Sequence, residues 1–218
     1  MDYFDYFSND WVSYIEITIM EDIKNIFIKK KILIYGLGKS GLSSYHFLKK
    51  NNNLYLYDDD MKVIKNKRIK KIFIKPKNIF KNNFDFIVIS PGININKCFL
   101  KNFLKKNLNK IITDLDLFFE LNKSATVISI TGTNGKSTTC KIIEQILKTA
   151  GYNVKTVGNI GNPILFSSHS KRNNVFIIEV SSYQLQYSRI FHSKYAAILN
   201  ISPDHLERHK NIKNYVKT

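Results

Sequence analysis

The stretch TGTNGKST at residues 131–138 constrains the fold of this chain more than any other. It follows the apolar run VISI, which reads as a buried strand, and it precedes CKIIEQILKTA, whose apolar residues recur with helical spacing. A strand, a glycine-rich loop and a helix in this order place backbone N–H groups around a phosphate. The stretch therefore predicts a parallel α/β unit that binds a phosphate at the end of its first strand.

The residue types in this loop fit a nucleotide triphosphate. A lysine reaches the β- and γ-phosphates, and the hydroxyl beside it binds Mg²⁺. The general pattern would place its first glycine at position 130, where Ile130 stands, so the spacing G-T-N-G-K-S-T is a narrower variant. A plain turn before a helix is the alternative, but the flanking strand and helix favour an ATP site. The predicted ATP-binding residues are Gly132, Thr133, Asn134, Gly135, Lys136, Ser137 and Thr138, with Lys136 also catalytic.

A second glycine-rich loop, GLGKSG, follows the apolar run KILIY near the start of the chain. Gly36, Gly38 and Gly41 complete the pattern G-x-G-x-x-G, and acidic residues beginning at Asp58 follow the next strand-like run, LYLY. Alone, these features favour a dinucleotide-binding oxidoreductase as much as a site for another diphosphate. Because the later loop is predicted to bind ATP, we expect this one to hold a diphosphate rather than a redox cofactor.

Short apolar runs alternate with helical stretches along most of the chain, which indicates parallel α/β sheets. Beyond the runs already quoted, KIFI, FDFIVIS, VFIIEV and YAAILNI read as strands, the last two as buried ones. The polar break LNKSAT at 121–126 separates two units. We predict an unassigned extension over 1–30, a Rossmann-like substrate domain over 31–121, and a P-loop ATPase-type domain, incomplete, over 122–218.

Composition limits the other classes of function. The formal net charge is +17, which raises the hypothesis of a nucleic-acid binder, but the lysines are scattered among Asn and Ile rather than gathered on one helix face. We therefore expect no nucleic-acid partner. The two cysteines have no ligand spacing, no secretory leader is evident, and no apolar stretch reaches the roughly 20 residues of a membrane span. These features predict a soluble, cytoplasmic protein without a membrane partner.

Two further positions suggest metal chemistry. Glu179 ends the apolar run VFIIE, and a carboxylate at the end of a parallel strand beside a phosphate loop is well placed to hold Mg²⁺. His205 and His209 form an i, i+4 pair, as in zinc proteases, but Leu206 stands where that pattern requires glutamate. We interpret His209 as a surface residue.

Six segments occur in order from residue 31 to the end, and the ordered set resembles the ATP-dependent Mur ligases of peptidoglycan synthesis. EVSSYQL and GLGKSG are most similar to the D-glutamate-adding member of that family. The resemblance implies ATP and Mg²⁺ as cofactors, UDP-N-acetylmuramoyl-L-alanine and D-glutamate as substrates, and a monomer when full length. It also implies amide-bond formation through an acyl phosphate. The six segments are GLGKSG, VISPGI, ITGTNGKSTT, VGNIG, EVSSYQL and ILNISPDHLERH.

The same resemblance implies roles for individual residues. The glycine loop offers Ser137 or Thr138 as the hydroxyl ligand of the metal, of which we choose Ser137. The resemblance assigns the metal to Glu179 and His205 as well, both of which are also catalytic. The stretch TDLDLFFE departs from the family pattern, because Thr113 and Asp116 replace the usual Gly and Glu while Asp114 matches. The residues implied to bind the UDP-sugar substrate are Gly36, Gly38, Lys39, Ser40, Asp58, Gly92, Asn159 and His205.

The resemblance further implies a magnesium-organising lysine and a third domain beyond Thr218, so the sequence is expected to be a truncated ligase. Two alternatives remain at this point. One is a non-catalytic module that binds a nucleotide and a UDP-sugar. The other is a basic nucleic-acid binder, whose binding would depend steeply on salt and would not respond to ATP.

Overall fold

Two parallel four-stranded sheets form the framework of the chain. The computed structural model describes residues 26–63, 67–158, 163–167 and 175–218. Every strand pair in both sheets is parallel, and helices connect the strands. This arrangement confirms the predicted α/β class.

The first sheet has the strand order β2-β1-β3-β4. Because β1 lies between β2 and β3, the chain reverses direction across the sheet at β1, and crevices at such points hold ligands in open α/β sheets. The strands are β1 Lys31–Tyr35, β2 Asn53–Tyr57, β3 Phe86–Ile89 and β4 Ile111–Ile112. The helices are α1 Lys39–Leu48, α2 Lys67–Ile72, α3 Pro76–Ile79, α4 Lys101–Lys106 and α5 Asp114–Leu121, with 3₁₀ turns at Met61–Val63 and Leu108–Lys110.

The second sheet has the order β6-β7-β5-β8, so the strand that leads into TGTNGKST lies in the middle of the sheet. The strands are β5 Thr126–Thr131, β6 Val154–Gly158, β7 Val175–Glu179 and β8 Tyr195–Ile198. The helices are α6 Lys136–Thr149, α7 Ser182–Leu185, α8 Leu206–His209 and α9 Ile212–Val216, with a 3₁₀ turn at Ile164–Ser167. The predicted boundary at 121–126 falls between α5 and β5 and stays a prediction.

The period-two alternation of the strands builds a core that both sheets share. In β1, Ile32 and Ile34 face one cluster of buried residues, while Leu33 and Tyr35 face another. The cluster that contains Ile32 also includes residues of the second sheet, such as Phe176 of β7. Phe118 of α5 packs edge-on against Phe176 with ring centroids 5.0 Å apart. The two sheets are therefore joined by apolar packing as well as by the chain.

Two sequence-based expectations about local structure are wrong. The run KIFI is not a strand: α2 extends to Ile72, and Phe73 makes only one isolated bridge, to Leu56. The run YAAILNI forms β8, but β8 is an exposed edge strand rather than a buried one. A short apolar run does not by itself distinguish a strand from the end of a helix, and it does not show whether a further layer covers a strand.

The apolar side of α6 is only partly buried. Ile143 and Leu147 pack against a buried cluster beneath the second sheet, whereas Ile142 and Ile146 are exposed. The helix ends just before Gly151, which takes a left-handed conformation with φ of 84° that favours glycine after the last helical turn. In the part of the chain that the structure describes, no helix is long and apolar enough to span a bilayer.

Phe118 provides a test of the shared core. We expect Phe118→Ala to lower the free energy of unfolding by about 3–5 kcal/mol, because the side chain is fully buried and its loss leaves a cavity. Phe99, which is 63% exposed, provides the control, and Phe99→Ala should change stability by less than about 0.5 kcal/mol. Urea unfolding followed by circular dichroism measures both. Equal effects of the two substitutions would contradict the shared core.

Candidate ATP and substrate site

The loop between β5 and α6 has the backbone that a phosphate cradle requires. Gly132 and Gly135 have φ values of 138° and 83°, which residues with a Cβ rarely adopt. A Cβ on Gly132 would also lie 3.0 Å from the carbonyl oxygen of Asn200. The two glycines therefore let the chain turn tightly from the strand into the N-terminus of α6, where backbone N–H groups lack partners within the helix.

Lys136 is folded over this loop. Its Nζ donates hydrogen bonds to the carbonyl oxygens of Gly132, at 2.6 Å, and Thr133, at 2.8 Å. The loop thus holds the ammonium group at the centre of the cradle. Phosphate oxygens are charged and accept stronger hydrogen bonds than carbonyl oxygens do, so a bound triphosphate can replace these two partners.

Ser137 and Glu179 meet across the neighbouring strands. In the parallel pairing of β5 with β7, Ile130 lies opposite Glu179, which places the carboxylate at the level of the loop. The Oγ of Ser137 donates to Oε2 of Glu179 at 2.7 Å, and Glu179 is only 2% exposed. The predicted hydroxyl and the predicted acid are therefore in direct contact.

This pair of oxygen donors fits Mg²⁺. In proteins, Mg²⁺ takes one or two ligands from the protein and completes its shell with substrate phosphates and waters. Among the described residues, no three His, Cys, Asp or Glu side chains group closely enough to hold a metal by themselves. Ser137 and Glu179 match the small ligand set that Mg²⁺ uses beside a triphosphate.

The segment after β8 supports the loop, and sequence reasoning missed this contact. The N–H of Asn134 donates to Oδ1 of Asn200, and Nδ2 of Asn200 donates back to the carbonyl oxygen of Asn134, each at 2.9 Å. Thr133 is held similarly, because its Oγ1 accepts from the N–H of Ser202 at 3.0 Å. Both residues lie in the stretch LNISPDH, where the sequence predicts a site role only for His205.

His205 lies next to this supporting segment. Its φ of 52° is left-handed, its N–H donates to Oδ1 of Asp204 at 2.8 Å, and its ring is 4.7 Å from that of Tyr183. The side chain is 45% exposed and lies 3.8 Å from Glu207. The role of His205 as a metal and substrate ligand stays a prediction.

His209 is not the surface residue that we expected. It is 3% exposed, and its Nε2 lies 3.0 Å from Oγ of Ser182 in the segment EVSSYQL. Burial lowers the pKa of its imidazole below the ordinary value. Its ring packs 5.1 Å from that of Tyr215, because α9 folds back over α8. The side chain therefore helps to fix the short helices beside the ATP loop.

The first glycine loop is also built around close approach. Gly36 has φ of 91°, and a Cβ there would lie 2.8 Å from Cβ of Ser90. A Cβ on Gly41 would collide with the carbonyl oxygen of Gly36, so both glycines bring α1 against the strand. By contrast, no atom lies within 4 Å of the Cβ position of Gly38 or Gly92, which leaves room at these two predicted substrate-binding positions.

Acidic side chains fix the geometry of this loop. Oδ2 of Asp58 accepts from the N–H of Leu37 at 2.6 Å, so the carboxylate at the end of β2 holds the glycine turn. Oγ of Ser40 donates to Oδ2 of Asp114 at 2.7 Å, and burial raises the pKa of Asp114. Lys39 begins α1 and is exposed. The predicted substrate ligand Asn159 lies outside the described residues.

Comparisons with known proteins agree with this fold. The fold defines a class of α/β protein in which a Rossmann-like parallel sheet is followed by a second parallel sheet that carries a phosphate-type loop. Residues 30–112 match the family described as "Mur ligase MurD-like, N-terminal domain", and residues 130–218 match "Mur ligase middle domain". The chain belongs to the Mur ligase family.

The names of curated relatives are consistent with this family. UDP-N-acetylmuramoylalanine–D-glutamate ligase of Rickettsia bellii is 42% identical over 193 residues, which cover 86% of this chain and 42% of that protein. The ligase of the same name from Caldicellulosiruptor saccharolyticus is 36% identical over 199 residues, covering 86% of this chain and 44% of that protein. The chain thus spans less than half the length of these relatives.

A solved structure agrees at the level of fold. The UDP-N-acetylmuramate:L-alanyl-gamma-D-glutamyl-meso-diaminopimelate ligase from Neisseria meningitides superposes with a TM-score of 0.51 at 15% identity. The match covers 87% of this chain and 66% of that one. At this level of identity, the likeness concerns the fold alone.

Lys136 provides the direct test of the loop. We expect Lys136→Ala to weaken the binding of a non-hydrolysable ATP analogue with Mg²⁺ by about 10- to 100-fold, because a charge-assisted contact to phosphate is lost. Isothermal titration calorimetry measures the affinity. Lys141, an exposed lysine on the same helix, provides the matched control, and Lys141→Ala should leave the affinity unchanged. Equal affinity of both variants would place the triphosphate elsewhere.

Proposed function

We propose that this protein works in peptidoglycan synthesis as an ATP-dependent ligase that adds D-glutamate to UDP-N-acetylmuramoyl-L-alanine. The observation that carries the proposal is the contact of Ser137 with Glu179 beside Lys136. It places a hydroxyl, a carboxylate and an ammonium group at one end of a parallel sheet. The curated relatives named for this reaction support the choice of substrates.

The proposed reaction forms an amide bond in two steps. An oxygen of the alanyl carboxylate attacks the γ-phosphorus of ATP, so that ADP leaves and an acyl phosphate remains on the substrate. The amino group of D-glutamate then attacks the acyl carbon and displaces phosphate, with loss of a proton from the nitrogen. In this scheme no side chain of the protein becomes covalently attached.

The residues of the loop contribute by holding charge in place. Lys136 and the backbone N–H groups at the start of α6 bind the phosphates and stabilise the negative charge of the transferred group. Ser137 and Glu179 would hold Mg²⁺, which supplies positive charge between the phosphates when it is bound. His205 would add a further contact to the metal and the substrate.

The first glycine loop would bind the diphosphate of the UDP-sugar. The open positions at Gly38 and Gly92 leave space for it, and the N-terminus of α1 offers backbone N–H groups at Lys39 and Ser40. Because the hydroxyl of Ser40 already donates to Asp114, Ser40 would contact the substrate through its backbone N–H. Asp58 would orient the loop near the uridine.

The proposal extends to the setting of the reaction. We place the protein in the cytoplasm, and the two unbridged thiols, Cys98 and Cys140, suit that reducing compartment. We also propose that the full-length protein is a monomer with no nucleic-acid or membrane partner. The alternative, a module that binds both ligands without turnover, predicts binding of ATP and UDP-sugar but no phosphate release.

Two measurements separate these functions. Calorimetry of this chain should detect binding of UDP-N-acetylmuramoyl-L-alanine, and also of an ATP analogue with Mg²⁺. Phosphate release that requires both the UDP-sugar and D-glutamate supports the ligase, whereas binding without release supports the alternative. Salt-sensitive binding to DNA, with no response to either ligand, would contradict both.

Glu179→Gln tests the role of the acid in metal binding. In wild-type protein, Mg²⁺ should strengthen binding of the ATP analogue, and in the variant this gain should fall by about tenfold or more because a charged ligand is lost. Without Mg²⁺, the variant should bind at least as tightly as wild type, since a negative charge beside the phosphates is removed. Calorimetry with and without Mg²⁺ gives both values.

Glu144 lies further along α6 and is paired with Lys148 at 2.6 Å, so Glu144→Gln serves as the control. It should leave the Mg²⁺-dependent gain at the wild-type value. An unchanged gain in Glu179→Gln would remove Glu179 from the metal site.

A further inference from the structure

The two carboxylate oxygens of Asp116 have different partners, one at the start of its own helix and one in the unit that carries the second sheet. Its Oδ2 accepts from the N–H of Thr113 at 2.7 Å and from Oγ1 of Thr113 at 3.1 Å. The first of these bonds is one half of a capping box at the start of α5. A capping box leaves the other carboxylate oxygen free to bind elsewhere, and in this protein that oxygen binds a loop of the second unit, which carries the second sheet.

Oδ1 of Asp116 accepts four hydrogen bonds from one short segment, 188–191, between α7 and β8. Each partner lies more than 70 residues away along the chain, and the side chain of Asp116 is completely buried. The donors are Oγ of Ser188 at 2.8 Å and the N–H groups of Arg189 at 2.9 Å, Ile190 at 2.7 Å and Phe191 at 2.9 Å.

Six donors on one buried carboxylate explain how its charge is tolerated. A buried charge without partners is strongly unfavourable, and hydrogen bonds to the ionised form offset that penalty. Most of the donors here are backbone N–H groups, whose positions follow the path of the chain. The carboxylate therefore holds the backbone of 188–191 in one place relative to α5.

Other hydrogen bonds of the same region also join the two units. Nη1 of Arg189 donates to the carbonyl oxygen of Leu108 at 3.0 Å, and the N–H of Ile95 donates to the hydroxyl of Tyr187 at 3.4 Å. A cavity of about 300 Å³ lies beside this contact, lined by residues of both units, including Leu108 and Arg189. Asp116 is thus the buried centre of a wider contact.

The first turn of α5 also reaches the glycine loop of the first sheet. Asp114, two residues before Asp116, accepts the hydrogen bond from Oγ of Ser40. One helical turn therefore holds the predicted diphosphate loop through Asp114 and the second unit through Asp116. The segment 188–191 in turn follows α7, which begins three residues after Glu179.

We propose that Asp116 is a positioning residue that fixes the orientation of the UDP-sugar unit relative to the ATP unit. It does so through its bonds to 188–191, and the inference rests on the proposed function of the two loops. A fixed orientation lets the carboxylate of a substrate held on the first sheet reach the phosphate held on the second. Loss of the contact should therefore uncouple the two sites without removing either.

Asp116→Asn provides the first test, because an amide keeps one acceptor oxygen but presents an NH₂ group to donors on its other side. Pairs of spin labels on cysteines introduced at the exposed positions Lys81 and Lys141, with Cys98→Ser and Cys140→Ala, report the distance between the units without any ligand. We expect a single narrow distance distribution in wild type and a broad one in the variant. Equal distributions would overturn the inference.

Binding measurements give the functional readout. In wild type, saturating UDP-N-acetylmuramoyl-L-alanine should change the affinity for the ATP analogue by about fivefold or more, a usual size for coupling between sites. In Asp116→Asn this change should fall below about twofold, while each ligand alone binds within about threefold of wild type. Coupling that persists in the variant, or is missing in wild type, would overturn the inference.

Three further variants complete the design. Asp116→Glu should restore the coupling, because glutamate is the usual acid of a capping box and keeps the charge. Asn211→Ala removes the exposed cap of α9 and should leave the distance distribution narrow. If Asp116→Asn does not fold, the double variant Ser188→Ala, Arg189→Ala removes two crossing contacts and should broaden the distribution, and a narrow one would count against the inference.

The two proposals can fail separately. A wild-type chain that binds neither ligand would contradict the proposed function, whereas the label distances would still decide the role of Asp116. A chain that binds both ligands, with distances insensitive to Asp116, would leave the function standing and remove the positioning role.

Discussion

The hydrogen bond between Ser137 and Glu179 depends on one feature of topology, the parallel pairing of β5 with β7. That pairing brings a loop and an acid that are more than 40 residues apart to the same edge of the sheet. Neither residue alone indicates a metal, but together with Lys136 they form a cluster of opposite charges around an open loop. The proposed phosphate chemistry at this edge would depend on these charges being held in place before a nucleotide binds.

The surrounding structure holds that cluster in place. Asn200 and Ser202 bind the loop from the side of β8, so the edge strand of the second sheet also has a supporting function. On the other side, the shared apolar core and the buried carboxylate of Asp116 connect the loop-bearing sheet to the first sheet. The same residues that stabilise the fold therefore set the position of one glycine loop relative to the other.

Residues that are close together in the sequence were easier to predict as parts of this candidate site than contacts between distant segments. The spacing of the glycines, Lys136 and Ser137 sufficed to predict a tight loop. The position of Glu179 at the end of a strand sufficed to predict that it lies at the same edge of the sheet as that loop. The support from Asn200 could not be predicted, because it depends on which strand lies next to β5. For the same reason the sequence misplaced His209, whose burial results from the packing of α9 over α8.

A crystal structure of this chain with an ATP analogue and Mn²⁺ would show directly whether Ser137 and Glu179 hold the metal, because the anomalous scattering of Mn²⁺ locates it. We predict a peak bound by Oγ of Ser137 and the carboxylate of Glu179, with the triphosphate along residues 132–138 and Lys136 turned from the loop carbonyls to the phosphates. A metal peak away from this pair, or a triphosphate bound outside the loop, would contradict the central claim.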